Sequence, residues 1–342
     1  MASPGGYIQA ALEQAPNAEG GANAVSSNLF YLPGTSIDMN ATPTMLDTLD
    51  ELRGGFYASP NRGVAEYAPA GQLDSRCYPS IMGLLLSAAC GGCVTTPGDG
   101  IIMDPDAVVV PAGAFRHVFS LRTSEIPQTF QMVYAPPAGG FWKSQGVGVD
   151  ELAVKAAAGS WDQSSKLVGL VHKPLADPVL TPSYETPGPW RTGQCVLTWL
   201  SGSARTEDFD WSLKNSLVTE HQFGVASLFP DSIIYNAALP VLGGSIPKRW
   251  LDAVDYEALT AGTTFAAKMK LTHAEDAATG YKHQLWVEMP ACQYQAAKPD
   301  AITNERRNKA SFDWEARYDT ATSKWFTITL VNSTPAYATY AA

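Results

Sequence analysis

The chain has 342 residues, of which 45% are hydrophobic, 16% are charged and 10% are aromatic, and its formal net charge is -10 at pH 7. A globular chain of this length has enough apolar side chains for about two domains, each with its own core. The aromatic share favours strand-rich structure over helical bundles, and the acidic balance argues against a protein that grips nucleic acid by neutralising its phosphates.

The N-terminal sequence lacks a basic start followed by an apolar run, so it predicts no secretory signal. The longest apolar stretch, 81–90, is too short to cross a bilayer. Five cysteines, an odd number, do not form a disulfide framework in a chain this long. Synthesis in a reducing compartment is the simplest interpretation.

The first half predicts one helix among short strands. Residues 20–36 are rich in Gly, Ala, Ser and Asn and predict a flexible N-terminal arm. Closely spaced Pro, Gly, Asn and Asp over 37–78 predict a long loop or an extended hairpin. A helix is predicted to begin at Pro79 and to end at Gly91, because proline is favoured in the first turn of a helix and glycine just after its last turn. Strands are predicted at 107–110, 117–121, 130–134, 148–155 and 164–172.

A proline-rich segment, 173–189, is the best candidate for a linker. It predicts a first unit at 1–180, which includes the N-terminal arm, and a second unit at 190–342. The second unit predicts a helix that begins at Pro247 and carries an apolar stripe through Leu259. Its predicted strands are 194–200, 208–214, 232–236, 264–271, 283–289, 312–318 and 325–332.

The order of elements in the first half returns in the second half. In each, a strand leads into a long excursion, a helix that starts with proline and a final pair of strands. The pair FWKSQGVGVDELAVKA and SSKLVGLVH has its counterpart in MPACQYQAAKP and ASFDWEARYD. Two copies of a β-rich unit usually build a pseudo-symmetric ring or tube. The alternative, that any β-rich chain shows strands and one helix in each half, stays open.

Several segments, in their order along the chain, resemble the tail tube (major tail) proteins of long-tailed bacteriophages. They are LPGTSIDMNATPTMLDTLDELRG, YPSIMGLLLSAACGG, FRHVFSL, FWKSQGVGVDELAVKA, SKLVGLVHKP, LWVEMPACQY, WEARYD and TITLVNS. The resemblance implies a mainly β fold of two tandem tail-tube-like β-sandwich or barrel units, each with one flanking α-helix and long loops.

The resemblance also implies a role and a set of partners. The chain would be a structural virion protein of the phage tail, made in the host bacterial cytoplasm, whose rings stack into a hollow tube for genome passage. Tail tube subunits pair their edge strands around the ring, so that no edge is left open. Six copies close each ring in simple members; a duplicated chain would need three, giving a homotrimeric pseudo-hexameric ring, with a hexamer as the alternative. Other expected partners are the tail terminator, tip and tape-measure proteins and, in transient non-specific contact, viral DNA, with no membrane.

Acidic side chains that face the bore would repel phosphates and let DNA slide. For any single acid, a solvated carboxylate on the outer face is the competing interpretation. The candidates for the lumen are the acids in or beside predicted strands: Asp150, Glu151, Asp208, Asp210, Glu288 and Glu315.

The sequence predicts neither an enzyme nor a cofactor. Cys90 and Cys93 form a CxxC pair, but at the end of a predicted helix rather than at its start, and the second CxxC of a structural zinc site is missing. The histidines lack metal-binding spacing, and the glycine pairs lack the context of a phosphate loop. No catalytic residue, cofactor-binding residue or metal ligand is assigned.

Two other classes stay open. A capsid decoration protein or a tail terminator would share this composition but assemble differently. A carbohydrate-binding or hydrolytic β-sandwich would use exposed tryptophans as a platform for sugars. The candidates for that platform are Trp142, Trp161, Trp190, Trp250 and Trp325.

Overall fold

The computed structural model describes residues 7–13, 29–46, 63–121, 126–135, 140–156, 159–176, 184, 187–200, 202–203, 208–221, 228–236, 240–249, 253–299 and 309–337. This part of the chain is mainly β and antiparallel, with one α-helix in each half. The predicted fold class is confirmed at that level.

The first half contains β1 (Tyr7–Leu12), β2 (Phe30–Leu32), β3 (Gly34–Leu46), β4 (Gly63–Arg76), α1 (Pro79–Cys90), β5 (Cys93–Pro97), β6 (Phe115–Phe119), β7 (Phe130–Ala135), β8 (Phe141–Ala156), β9 (Trp161–Val168) and β10 (Val171–Leu175). The second half contains β11 (Cys195–Trp199), β12 (Gly202–Ser203), β13 (Asp210–Lys214), β14 (Leu217–Glu220), β15 (Ser232–Tyr235), β16 (Val241–Arg249), α2 (Ala253–Thr260), β17 (Thr264–Ala278), β18 (Tyr281–Pro299), β19 (Lys309–Ala316) and β20 (Thr327–Asn332).

Helix α1 has the termini that its sequence predicts. Pro79 occupies the first turn, where a missing N–H costs nothing. Gly91 ends the helix with φ 72°, and its N–H donates to the carbonyl of Ser87 at 3.0 Å. Nearly every residue of α1 is buried, so the helix packs on all sides. Neither α1 nor α2 has the length and apolar content needed to cross a membrane.

The predicted start of the second helix is wrong. Pro247 lies in β16, opposite Ser311 of β19, and the helix begins at Ala253. The proline is tolerated in a strand because the pairing of β13 with β16 ends at Ser245, so the missing N–H removes no bond on that side. Proline at the start of a helix and proline at a one-sided strand position give the same sequence signal.

The strand predicted at 107–110 is also wrong. Only an isolated bridge joins Met103 and Val109 there. The Asp104 carboxylate accepts the N–H groups of Asp106 and Val108, each at 2.9 Å, and so fixes a turn instead of a strand. Each remaining strand prediction overlaps an observed strand, but β8, β17 and β18 are much longer than the predicted strands 148–155, 264–271 and 283–289. The predicted strand 164–172 is divided between β9 and β10.

The stretch 37–78 is an extended hairpin of β3 and β4, one of the two predicted alternatives; its residues 47–62 lie outside the described part. The predicted flexible arm at 20–36 is corrected where the structure describes it. There, β2 pairs with β1, and the start of β3 pairs with β4. Residues 20–28 lie outside the described part.

All the named strands except β14 and β15 belong to one antiparallel sheet, which does not close on itself in the described part. The long strands β8 and β18 change partners along their length. Residues 141–147 of β8 pair with β7 and β10, whereas 148–156 pair with β9 and β13. In β18, 284–288 pair with β20 and 292–299 pair with β19. Each long strand therefore joins two groups of paired strands.

The predicted boundary at 173–189 falls partly inside β10 and partly on residues outside the described ranges. Strands from both sides of it are hydrogen-bonded, since β8 pairs with β13 and β6 pairs with β20. One hydrophobic core runs through both halves. The division into units at 1–180 and 190–342 stays a prediction.

Aromatic rings fill the core of the second half. Trp314 stacks on Phe209 at 5.9 Å between ring centroids and meets Trp199 edge-on at 5.3 Å. The Nε1–H of Trp199 donates to the Tyr294 hydroxyl at 2.8 Å, and that hydroxyl donates to Asp255 at 2.5 Å. Because Asp255 belongs to α2, this chain of contacts attaches the helix to the sheet.

Replacing Trp314 with alanine should lower the free energy of unfolding by about 3–5 kcal/mol, because it removes the ring that both neighbours pack against. The control is Val196→Ala on β11, because Val196 is 58% exposed. This substitution should change the free energy of unfolding by less than about 0.5 kcal/mol. Denaturant titration of both variants measures the difference. Equal effects would contradict this assignment of the core.

Candidate assembly surface

Eight strands lie side by side in the order β3, β4, β9, β8, β13, β16, β19, β18. The first four come from the first half of the chain and the last four from the second. We call these strands the assembly sheet, with β8 represented by 148–156 and β18 by 292–299. Each set of four is called a quartet. Within each quartet, a helix follows the second strand.

The two quartets share one register, which is visible in a single row of paired residues across each. In the first quartet the row is Met39, Gly71, Leu167 and Val149. In the second quartet the row is Trp211, Gly244, Trp314 and Tyr294. Glycine occupies the second place in both rows.

These two glycines occupy the same kind of close approach. A Cβ on Gly71 would lie 2.0 Å from the carbonyl oxygen of Asp38, and a Cβ on Gly244 would lie 2.1 Å from that of Asp210. Any larger residue would therefore push the first two strands of its quartet apart. Asp38 precedes Met39 just as Asp210 precedes Trp211, so the acids correspond as well.

A β-bulge follows the shared row in both quartets. The register of β8 against β9 skips Asp150, and the register of β18 against β19 skips Gln295. Bulges bend a strand and increase its twist at a defined position. The two quartets therefore bend at the same place relative to their glycines.

The assembly sheet has one buried face and one polar face, because side chains alternate along each strand. The buried face packs on the core through Leu73, Leu152, Val154, Trp211, Leu213, Ile246 and Phe312. The polar face carries partly or fully exposed residues, among them Asp38, Gln72, Asp74, Glu151, Ser164, Lys166, Asp210, Ser245, Lys298, Asp313 and Glu315.

The structure brings three of the six predicted acids together on the polar face: Glu151, Asp210 and Glu315. The other three lie elsewhere. Asp150 is the bulge residue and accepts the N–H of Leu217 at 2.7 Å. Asp208 precedes β13. Glu288 lies in the other part of β18, 3.3 Å from Lys268.

Sequence reasoning missed Asp38, Asp74 and Asp313 on the same face. Alternation within each strand could have found them, because each is two residues from another polar position on the same strand. Asp74 accepts hydrogen bonds from Ser164, Ser36 and Gln72 at 2.6, 2.7 and 2.8 Å. Burial raises the pKa of Asp74, but these hydrogen bonds outweigh it and hold the pKa below its ordinary value.

Lysines on neighbouring strands compensate several of the acids on the polar face. Lys166 lies 2.5 Å from Glu151, and Lys214 lies 3.6 Å from it. Burial raises the pKa of Glu151, but the hydrogen bond from Lys166 and the charge of Lys214 outweigh it, so the pKa stays below its ordinary value. Asp313 pairs with Lys298 at 2.6 Å. The face is therefore polar and of mixed charge rather than purely acidic.

The internal seam of the assembly sheet is the β8–β13 pair, where the last strand of one quartet meets the first strand of the next. Leu152 faces Leu213 across it, and both are buried. On the polar face Glu151 is opposite Lys214. The seam thus combines apolar burial on one face with an ion pair on the other.

The two outer edges of the assembly sheet are open within the described ranges. There, β3 pairs with β4 alone, and 294–299 of β18 pair with β19 alone. Ala41 lies opposite Pro69, whose carbonyl accepts the N–H of Gly169 at 2.8 Å on the side away from β3. Ala41 and Pro69 are therefore a non-hydrogen-bonded pair, and the backbone groups of Ala41 point outwards. Such an edge is a template for another strand.

In the CxxC pair, Cys90 is buried and Cys93 is partly buried. Burial raises the pKa of the Cys93 thiol to about 12 and that of Cys90 further above its ordinary value. A thiolate, the reactive form, is therefore disfavoured at both positions. Among the described residues, no group of three or more His, Cys, Asp or Glu side chains could hold a metal ion.

Among the described residues, the tryptophans proposed as a sugar platform are buried or packed against other rings. Trp161 and Trp190 are buried, and Trp142 stacks on His172 at 4.9 Å. Trp325 packs on Tyr318 at 5.7 Å. Trp250 lies outside the described residues.

Comparison of the sequence with protein-family models and with curated proteins gave no significant match. The geometry of the assembly sheet therefore carries the functional inference.

Gly71→Ala and Gly244→Ala should each destabilise the protein, by about 1–3 kcal/mol, because both methyl groups meet a backbone carbonyl. Gly193→Ala is the matched control, since a Cβ at Gly193 meets nothing within 4 Å. Chemical denaturation measures all three. A neutral effect at either quartet glycine would contradict the shared register.

The Glu151 carboxylate should stabilise the seam in a pH-dependent manner. Its pKa is lowered in the folded state, so its contribution is present above the unfolded value of about 4.3 and is lost as the pH falls through the folded value. Wild type should exceed Glu151→Gln in stability by about 1 kcal/mol or less at pH 7. Unfolding titrations between pH 7 and about pH 3 should show this gap closing. A gap that widens towards acid pH would refute the assignment.

Proposed function

We propose that this chain is a structural subunit of a hollow tube, and specifically a phage tail tube subunit rather than an enzyme. One observation supports the proposal most strongly. The assembly sheet is two quartets of equal register joined by an internal seam, and within the described residues the outer edge of the strand at each end has no partner.

The internal seam supplies the physical argument for assembly. It shows that the last strand of one quartet fits the first strand of another in an antiparallel pair. The free ends of the sheet are again a first strand, β3, and a last strand, β18. If the β3 edge of one copy meets the β18 edge of the next, every chain repeats the same head-to-tail contact, and such a contact generates a ring when its rotation closes.

Closure of the ring accounts for the open edges. A twisted, bulged sheet curves, and joining its ends satisfies the remaining edge groups in a closed barrel. We propose two tandem tail-tube-like units in each chain, so that three chains supply six quartets to one ring. Six chains would supply twelve quartets and a much wider barrel, which is the alternative arrangement.

The polar face is the natural wall of the bore in this arrangement. The opposite face is covered by the core and by α2, which is held through the Tyr294–Asp255 hydrogen bond of 2.5 Å. Hydrogen bonds and lysine charges hold the pKa values of Asp74 and Glu151 below their ordinary values, so these two carboxylates stay charged well below neutral pH. Paired lysines contribute little free positive charge for phosphates, so DNA would pass without sticking.

The same proposal places the chain in the virion, with tail terminator, tip and tape-measure proteins as neighbours in the tail. The contact with viral DNA would be transient and independent of sequence. The raised pKa values of the Cys90 and Cys93 thiols and the burial of Trp161 and Trp190 give no support to redox or sugar-binding activity.

Negative-stain microscopy of the concentrated protein should show hollow filaments or stacked rings. Ala41→Pro should abolish them, because it removes an outward N–H from the β3 edge while the contacts with β4 remain. Ala41→Ser keeps that N–H and is the control at the same position. Circular dichroism and thermal unfolding confirm that both variants fold.

Monomers at every concentration of the wild-type protein would contradict the proposal. So would Ala41→Pro filaments that match those of wild type. Single rings that never stack would favour a tail terminator instead.

A further inference from the structure

We infer that the joint between two copies of this chain repeats the register of the internal β8–β13 seam, which places Asn40 of one copy opposite Lys298 of its neighbour. The inference rests on the proposed function, since it concerns the same open edges. It adds a residue-by-residue pairing that the edges alone do not specify.

The correspondence between quartets determines this register. From the shared row, Met39 corresponds to Trp211, and Asn40 therefore corresponds to Ser212. On the last strands, the residue after the bulge is Glu151 in β8 and Ala296 in β18. Two residues further on, Ala153 corresponds to Lys298.

The internal seam then gives the pairs between copies. In the seam, Ser212 lies opposite Ala153, and this pair becomes Asn40 opposite Lys298. In the same way, the Leu213–Leu152 pair becomes Ala41 opposite Ala297. The Trp211–Val154 pair becomes Met39 opposite Pro299.

The pair of Met39 with Pro299 supplies an independent check on this register. Pro299 has no N–H and would leave the carbonyl opposite it without a backbone donor. The carbonyl of Met39 already accepts a hydrogen bond from the Tyr134 hydroxyl at 3.0 Å. The inferred register therefore puts the residue that cannot donate opposite a carbonyl that is already satisfied.

The joint between copies should also be weaker than the internal seam. Alanines replace the buried Leu152 and Leu213, so less apolar area is available for burial. Thr42 and Ala296 take the places of Lys214 and Glu151, so the ion pair across the internal seam has no counterpart. Two copies can therefore separate while each chain keeps its own seam intact.

Cysteine cross-linking of the full chain tests the inferred register. Directly opposite residues in an antiparallel pair have Cβ atoms about 4.5–5.5 Å apart, close to the range that a disulfide needs. Asn40→Cys combined with Lys298→Cys should form disulfides between copies in oxidised filaments. Because three copies close the ring, complete oxidation should yield a covalent trimer on a non-reducing gel. Bands larger than the trimer should be absent.

Two control variants define the result. Asn40→Cys with Ala296→Cys places the thiols diagonally, about 7–8 Å apart, and should cross-link at least tenfold less. Ser212→Cys with Ala153→Cys repeats the geometry inside one chain and should form an intramolecular disulfide at any protein concentration. The single-cysteine variants give the background from the native thiols.

Filaments that cross-link through the diagonal pair, or through neither pair, would overturn the register and leave the tube standing. A ladder that extends beyond three chains would overturn closure by three copies. Failure of wild-type protein to form filaments would instead remove the proposed function, and the two failures are therefore distinguishable.

Discussion

Unpaired backbone groups at the two ends of the assembly sheet are the constraint on which this account depends. The N–H and carbonyl groups of an edge strand need partners, and an exposed edge favours uncontrolled association unless it is covered or matched. Here the edges belong to β3 and to residues 294–299 of β18, within the part of the chain that the structure describes. The internal seam shows which kind of strand fits each edge. The fold and the proposed assembly therefore use the same kind of strand pair, once inside each chain and once between copies.

The polar face of the sheet shows how charge is arranged for such a role. Its acids accept hydrogen bonds from serines and lysines on neighbouring strands, and Asp74 accepts one from Gln72 on its own strand. These bonds lower the pKa values of Asp74 and Glu151. A net charge of -10 did not by itself indicate which acids share a face. Because lysines pair with several of these acids, the face is less acidic than the sequence predicts. The same pairing leaves few free lysines that could bind DNA phosphates.

Sequence rules that act within one element predicted much of this fold. They failed where the outcome depends on pairing between distant strands. Pro79 and Gly91 fixed both ends of α1 because their conformational preferences act within one turn. Pro247 misled the prediction because its cost depends on where β13 stops, a contact between distant parts of the chain. Alternation gives the face of a residue within one strand, yet it cannot say which strands are neighbours, so Glu288 was grouped with acids from another part of the sheet. The register of the seam was beyond sequence reasoning for the same reason, although the matching segments GQLDSR and GSIPKR could have aligned the two glycines.

The rotational symmetry of an assembled filament tests the central claim most directly. An electron-microscopy reconstruction should show threefold rings whose inner wall is a continuous β-barrel with nearly sixfold symmetry, because each chain contributes two quartets. A sixfold ring of complete chains, or a wall in which β3 and β18 of adjacent copies do not pair, would contradict the account.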